Sequence, residues 1–199
     1  MPTSQAVLDA WTLISPFNSA DSEITKAQLN PRYRYLRVHA GEKSALLVLG
    51  YVDTSTQGNT EVWYSNDRGV LRLQGGRLSG LQGVGEDWLN VRFENLPNWK
   101  EVGSNPRFTR IRDVQPGYRF NIRDTLEMHA IPAPRDTHLQ TIDPTALVWI
   151  EERSIPPSSL PPARYALQNV SKEEMQVVYG EQYLTPELKV SWQTWPPTR

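Results

Sequence analysis

The sequence has no cysteine. That excludes disulfides, thiolate zinc sites and cysteine nucleophiles, and it leaves no residue within 1–199 to carry a lipid anchor. No apolar run approaches the roughly 20 residues that a membrane-spanning helix needs, and the N-terminus lacks a basic segment followed by an apolar core of the secretory kind. A dominant charge is missing as well, since 21 basic residues meet 22 acidic ones for a formal net charge of −1. The basic residues are spread along the chain, so the electrostatic footprint of a general nucleic-acid binder is absent, and nucleic acid is not an expected partner. Histidine is scarce. His39, His129 and His138 show none of the short spacings that build a metal site, and they read as structural or solvated. There is no Gly-x-Ser-x-Gly elbow, no phosphate-cradling loop and no Gly-x-Gly-x-x-Gly after a strand. No metal, cofactor or catalytic residue is therefore expected.

What is present points to β structure. Seven Trp, eight Tyr and four Phe supply large buried areas for a chain whose hydrophobic fraction is 38%, enough for a folded single domain over residues 1–199. Ala6, Val7, Ala10, Trp11 and Ile14 recur at helical spacing, so a short helix is expected in the N-terminal segment and linker, 1–20, ending near Pro16. From Tyr33 the period becomes two, with Tyr33, Tyr35, Arg37 and His39 on one face and Arg34, Leu36 and Val38 on the other. Gly41-Glu42-Lys43 reads as a tight turn before Ala45–Val52, an apolar run suited to a strand covered on both sides. Further extended segments are expected at 61–65, 70–74, 77–81, 107–114, 118–128, 146–153, 175–183 and 188–195, with turn signals about every ten residues in the first half. Residues 155–162 hold four prolines and read as an extended surface connection. No repeat of 20 to 50 residues recurs, which excludes a solenoid or propeller. The expected fold is mostly β, a curved antiparallel meander sheet forming a half-barrel, open barrel or sandwich, with few helices beyond the N-terminal one.

Candidate chemistry is sparse. The carboxylate pairs Glu86-Asp87, Glu151-Glu152 and Glu173-Glu174 are adjacent in sequence, whereas acid–base catalysis by two carboxylates needs them across a cleft. Arginine is the stronger signal, because 16 of the 21 basic residues are Arg, the side chain suited to bidentate anion contacts. Arg107, Arg110, Arg112, Arg119 and Arg123 share a stretch whose one acidic residue is Asp113, a candidate site for an acidic sugar, a phosphate or an acidic partner. The bland alternative is a strand whose arginines face solvent. Trp63 and Trp88 can stack on sugar rings while Arg77 or Glu61 bonds hydroxyls, and core packing is the competing role for both tryptophans.

The run Leu46–Tyr51 (LLVLGY), then Glu61-Val62-Trp63-Tyr64-Ser65-Asn66-Asp67, then Gly75-Gly76-Arg77-Leu78 with Gly80-Leu81 and Asp87-Trp88-Leu89, resembles the YjbF/GfcB family of Group 4 capsule polysaccharide lipoproteins. Tyr179-Gly180-Glu181-Gln182 and Ser191-Trp192-Gln193-Thr194-Trp195 are similar to the family's C-terminal end. The resemblance implies an outer-membrane lipoprotein on the periplasmic face, serving capsule or exopolysaccharide export and assembly, with no established reaction. Its lipidated cysteine would lie upstream of Met1, so the membrane is met only through that anchor. The implied partners are the polymer itself or neighbouring assembly proteins. The expected interaction residues are Trp63, Arg77, Trp88, Arg110, Arg112 and Arg119, with Arg77 the motif residue hardest to assign to a core. A polysaccharide-modifying hydrolase using distant carboxylates, and a purely structural interaction module, are the competing expectations.

Overall fold

The computed structural model describes residues 24, 28–55, 58–171 and 174–197; the helix expected between Gln5 and Ile14 lies outside them. Within the described residues the strands are β1 (Tyr35–Ala40), β2 (Lys43–Ser55), β3 (Gly58–Tyr64), β4 (Val70–Gln74), β5 (Arg77–Gln82), β6 (Asp87–Glu94), β7 (Arg107–Gln115), β8 (Arg119–Ile131), β9 (Val148–Ser154), β10 (Ala163–Asn169), β11 (Met175–Tyr183) and β12 (Lys189–Trp195). Each pairs antiparallel with the next, as expected of a meander. The open half-barrel or sandwich is corrected: β1 pairs with β12 from Tyr35↔Trp195 to Ala40↔Val190, and the sheet closes into a twelve-stranded barrel. Closure satisfies the ladder groups that an open sheet leaves bare at its two edges. Residues 155–162 accordingly link β9 to β10 and have no edge to cover.

Two strands fall where no extended segment was expected, β6 and β10. β6 carries the extra residue Leu89 between Trp88 and Asn90 against β7, and such a bulge breaks the two-residue rhythm by which a strand is read. β10 is buried on both faces, Tyr165 and Leu167 in the interior and Ala166 in a second cluster, so no alternation marks it. Helical structure among the described residues is confined to two 3-10 turns, Trp99–Ser104 and Pro144–Ala146, and residue 24.

The barrel interior is apolar and aromatic. Leu36, Val38, Leu47, Trp63, Leu71, Leu81, Trp88, Phe108, Met128, Ile150, Tyr165 and Trp192 form one buried cluster. Outside it, the pairs Arg107–Glu127, Arg123–Glu94 and Arg153–Glu151 lie on β6 to β9. This polarity, apolar within and charged without, is the reverse of a membrane-spanning barrel. No helix among the described residues is long and apolar enough to cross a membrane.

Two parts of the outer wall are covered. Ile24, Leu29 and Tyr33 pack on Tyr35, Leu46, Val48 and Trp195, which explains why Ala45–Val48 is buried on both faces. Residues 132–147 cross the wall at β9 to β12, laying Leu139, Ile142 and Leu147 on Trp149, Ala166, Val178 and Tyr179. Gln140 and Gln193 clamp that crossing by donating to each other's oxygens at 3.0 and 2.8 Å. Beneath it Glu181, fully buried, accepts from Tyr179 Oη and Arg164. Burial first, and the Glu181 charge second, push the Tyr179 phenol up.

Glycine sets the packing at β11, where a Cβ on Gly180 would meet Trp192 Cζ2 at 2.5 Å. Gly180→Ala is expected to lower unfolding free energy by about 1–3 kcal/mol, the usual penalty of overpacking. Gly103→Ala, with nothing within 4 Å of its added methyl, should stay within about 0.5 kcal/mol of wild type. Urea denaturation of the two variants side by side measures both.

Candidate functional site: a tryptophan-lined barrel mouth

The chain enters β3, leaves β4 and enters β11 at the same end of the barrel, and side chains from these strands surround a cavity of about 430 Å³. That volume lies in the range of small-molecule sites, about 300–1,000 Å³. Trp63 from β3, Trp192 from β12 and Trp99 from the 3-10 turn line it, with Arg34, Glu61, Asn59, Glu174 and Gln176 as its polar groups. Alternation along β3 explains the placement: Glu61 and Trp63 pair with Leu73 and Leu71 of β4, all on the inner face.

Trp99 is held from three directions. Asn98 and Glu101 cap its turn reciprocally, the Asn98 oxygen accepting from the Lys100 amide and Glu101 from the Asn98 amide, both at 3.0 Å. Its indole N–H donates to the Gly75 carbonyl at 2.9 Å, and its ring meets Tyr165 at 4.9 Å between centroids. Gly76 lets the β4–β5 turn close over the interior: its φ is +84°, and a Cβ there would lie 2.5 Å from Val177. At the rim Arg34 donates to Glu61 at 2.6 Å and lies 5.6 Å from the Trp63 ring centre. The indole nitrogens of Trp63 and Trp192 are buried without a hydrogen-bond partner. An unpaired buried N–H costs about 1–3 kcal/mol, and Trp88, outside the cavity lining, leaves its indole nitrogen in the same state.

Of the six interaction residues expected from sequence, Trp63 alone lines this cavity. Arg77, Trp88, Arg110 and Arg112 lie in the barrel interior, each 9% exposed or less, so Arg77, the motif residue hardest to assign to a core from sequence, is packed within it. Its guanidinium donates to Glu152 at 2.7 Å and sits 3.4 Å from the Trp99 ring centre. Glu151 and Glu152 point to opposite faces of β9, and each is tied to an arginine, Glu151 to Arg153 and Glu152 to Arg77. Arg110 and Arg112 converge on Asp124 at 3.0 and 2.7 Å and flank Trp88 with centroid distances of 4.9 and 4.8 Å. Arg110 also donates to Gln182 at 3.0 Å. The expected cationic stretch is therefore neutralised by Asp124, Glu94 and Glu127. Arg119 remains outside on the β7–β8 turn, beside Tyr118 and Phe120, which are 71% and 57% exposed.

Sequence reasoning missed Arg34, Trp99, Glu174 and Trp192 as members of one site. Trp99 sits in a turn after Pro97, where no periodicity marks a direction, and β12 meets β3 through closure alone. Among the described residues no group of three His, Asp or Glu side chains is placed to hold a metal ion.

The model of the YjbF family, described as Group 4 capsule polysaccharide lipoprotein gfcB, YjbF, matches residues 8–194. The chain belongs to this family. The hypothetical lipoprotein YmcC of Escherichia coli K12, known from its crystal structure, is similar over all of this chain and 98% of its own, with a TM-score of 0.64 and 18% identity. At that identity the likeness shows a shared fold. No curated protein matches the chain. The family places this YjbF member among capsule-associated lipoproteins, and its interior ion pairs become features of such a barrel.

Those pairs generate a stability prediction. Burial pushes the Asp124 carboxyl up, but the hydrogen bond from Arg112 and the charges of Arg110 and Arg112 override it and hold it below its ordinary range. A depressed carboxylate contributes stability above its unfolded pKa of about 4, and that contribution is lost as pH falls through the folded value. Asp124→Asn strands two buried guanidinium groups and should cost about 3–5 kcal/mol at pH 7. Urea midpoints followed from pH 6 to pH 3 should fall less steeply for the variant than for wild type; parallel slopes would remove the role given to Asp124.

Proposed function

We propose that this protein is a non-enzymatic accessory of capsule or exopolysaccharide export, held at the periplasmic face of the outer membrane, that binds the polymer by admitting sugar rings to the tryptophan-lined mouth. One observation carries the reading, a cavity lined by Trp63, Trp99 and Trp192 and rimmed by Arg34, Glu61 and Glu174. Sugar recognition needs both halves of that arrangement. Aromatic faces cover the C–H surface of a ring, and planar polar groups bond its hydroxyls. The Arg34 guanidinium donates to hydroxyl oxygens, while the Glu61 and Glu174 carboxylates accept from hydroxyls. The family's association with capsule polysaccharide supports the choice of ligand class. Arg77, Trp88, Arg110 and Arg112 hold the wall in shape, and of the residues expected from sequence it is Trp63 that meets the ligand.

Tryptophan emission reports the mouth directly. Titration with chitotriose and with a hyaluronan tetrasaccharide should change emission saturably for at least one of them. Trp63→Phe keeps an aromatic ring in the core and reduces the stacking face, so affinity should drop about fivefold, the worth of an aromatic contact near 1 kcal/mol. Glu174→Gln, at the rim, should weaken binding without moving the urea midpoint. Unchanged emission with both sugars at millimolar concentration would sink this reading.

A further inference from the structure

The outer face of the same strands carries a second concavity. Tyr51, Val62, Arg72 and Gly80 face one another across β2, β3, β4 and β5 in a single cross-strand row, on the side opposite Trp63 and Leu71. Beside this row a trough of about 220 Å³ is lined by Tyr51, Asp53, Arg72, Ser79, Asn90 and Arg92, among others. Three features mark it as built for a ligand. The Ser79 hydroxyl, in a residue 6% exposed, is buried there without a hydrogen-bond partner. Arg72 makes no ion pair with a described residue, whereas each interior arginine named above is tied to a carboxylate. Gly80 makes room for it, since a Cβ there would lie 3.2 Å from Arg72 Nη1. Tyr51, 52% exposed at the rim, offers an aromatic face. Arg92, which donates to Asn121 at 2.8 Å, brings a second guanidinium.

We infer that this trough, on the outer face of β2 to β6, is a second saccharide subsite that takes an acidic sugar of a chain whose neighbouring ring occupies the mouth. The chemistry selects the ligand. A guanidinium with no carboxylate of its own matches a uronate, Ser79 and Asn90 match hydroxyls, and Tyr51 matches a ring face. The two sites are the two faces of β3 and β4: Asn59, Glu61 and Trp63 turn to the mouth, and Thr60 and Val62 to the trough. A polymer that crosses the short β2–β3 rim reaches both. This inference rests on the glycan reading of the mouth, and chain length separates the two.

The probes are hyaluronan di- and hexasaccharides, which alternate acidic and neutral rings, with chitohexaose as the uncharged control. Calorimetry follows total binding, and tryptophan emission follows the mouth. The hexasaccharide should bind about tenfold more tightly than the disaccharide, the gain of linking two subsites. Arg72→Gln and Ser79→Ala should each reduce that gain, leaving disaccharide affinity and emission unchanged, and chitohexaose should show none. Equal affinity at both lengths, or a gain that survives Arg72→Gln, overturns the trough and leaves the mouth standing. Hexasaccharide binding that needs Arg72 yet leaves emission untouched keeps the trough and removes the mouth. Absence of binding by either hyaluronan probe overturns the inference.

Discussion

Everything in this structure depends on the ladder between its first and last strands. Six residue pairs join β1 to β12, and through them the sheet encloses an interior. That single pairing brings Trp192 beside Leu36 and places Thr194 and Arg34 on the rim that Glu61 and Asn59 complete. Without it, Trp63 and Trp192 would stand on opposite margins of an open sheet, and the mouth would not exist. Because the partners are separated by nearly the whole chain, the loop-closure entropy of this contact is the largest the fold must offset.

Closing twelve strands creates a second constraint. Eight strands leave an interior that ordinary side chains just fill, and width grows with strand number. Twelve demand larger fillers. The interior accordingly holds Trp63, Trp88, Trp99 and Trp192 together with the long arms of Arg77, Arg110 and Arg112. Those arginines carry charge into a low-dielectric space, which is tolerable because Glu152, Asp124 and Gln182 meet them and Trp88 and Trp99 offer ring faces. The abundance of Arg over Lys thus has a structural cause here. A planar guanidinium can stack and fork within a packed core, and an ammonium cannot.

This explains what could be read from the sequence and what could not. The meander was legible along Val70–Gln74, and along Met175–Tyr183 despite the extra residue Val178 that β11 carries against β10, the observed limits of both coinciding with those expected. It disappeared at Asp87–Glu94, where the bulge at Leu89 shifts the rhythm, and at Ala163–Asn169, which is buried on both faces. The family was legible because LLVLGY, Trp63-x-Ser65-x-Asp67 and Gly75-Gly76-Arg77 each answer a local demand. The first is a strand covered on both sides. In the second, Ser65 Oγ donates to the Asp67 carboxylate and accepts from the Gly69 amide, locking the β3–β4 turn. The third is a positive-φ hairpin that delivers Arg77 inward. The direction of an arginine was not legible, because period two says which residues share a face and not which face is the core. Arg107 and Arg110 differ in fate for that reason alone, one on each side of β7.

The same two-sidedness bears on how such a barrel can handle a long polymer. An interior closed by Trp99 and the Gly75-Gly76 turn is plugged, so a chain cannot thread through it. On the proposed reading, a polymer enters at the rim and leaves along the wall. Two stretches of the wall are covered, by residues 28–33 and by residues 132–147, whereas the outer face of β6 to β9 carries paired charges and that of β2 to β6 the trough. The trough lies on the opposite face of the strands β3 and β4 that line the mouth, and its Arg72 makes no ion pair with a described residue. The proposed path therefore runs from the mouth across β3 and β4 to Arg72. In that reading the barrel holds a polymer at its lip and along its flank, and does not conduct it.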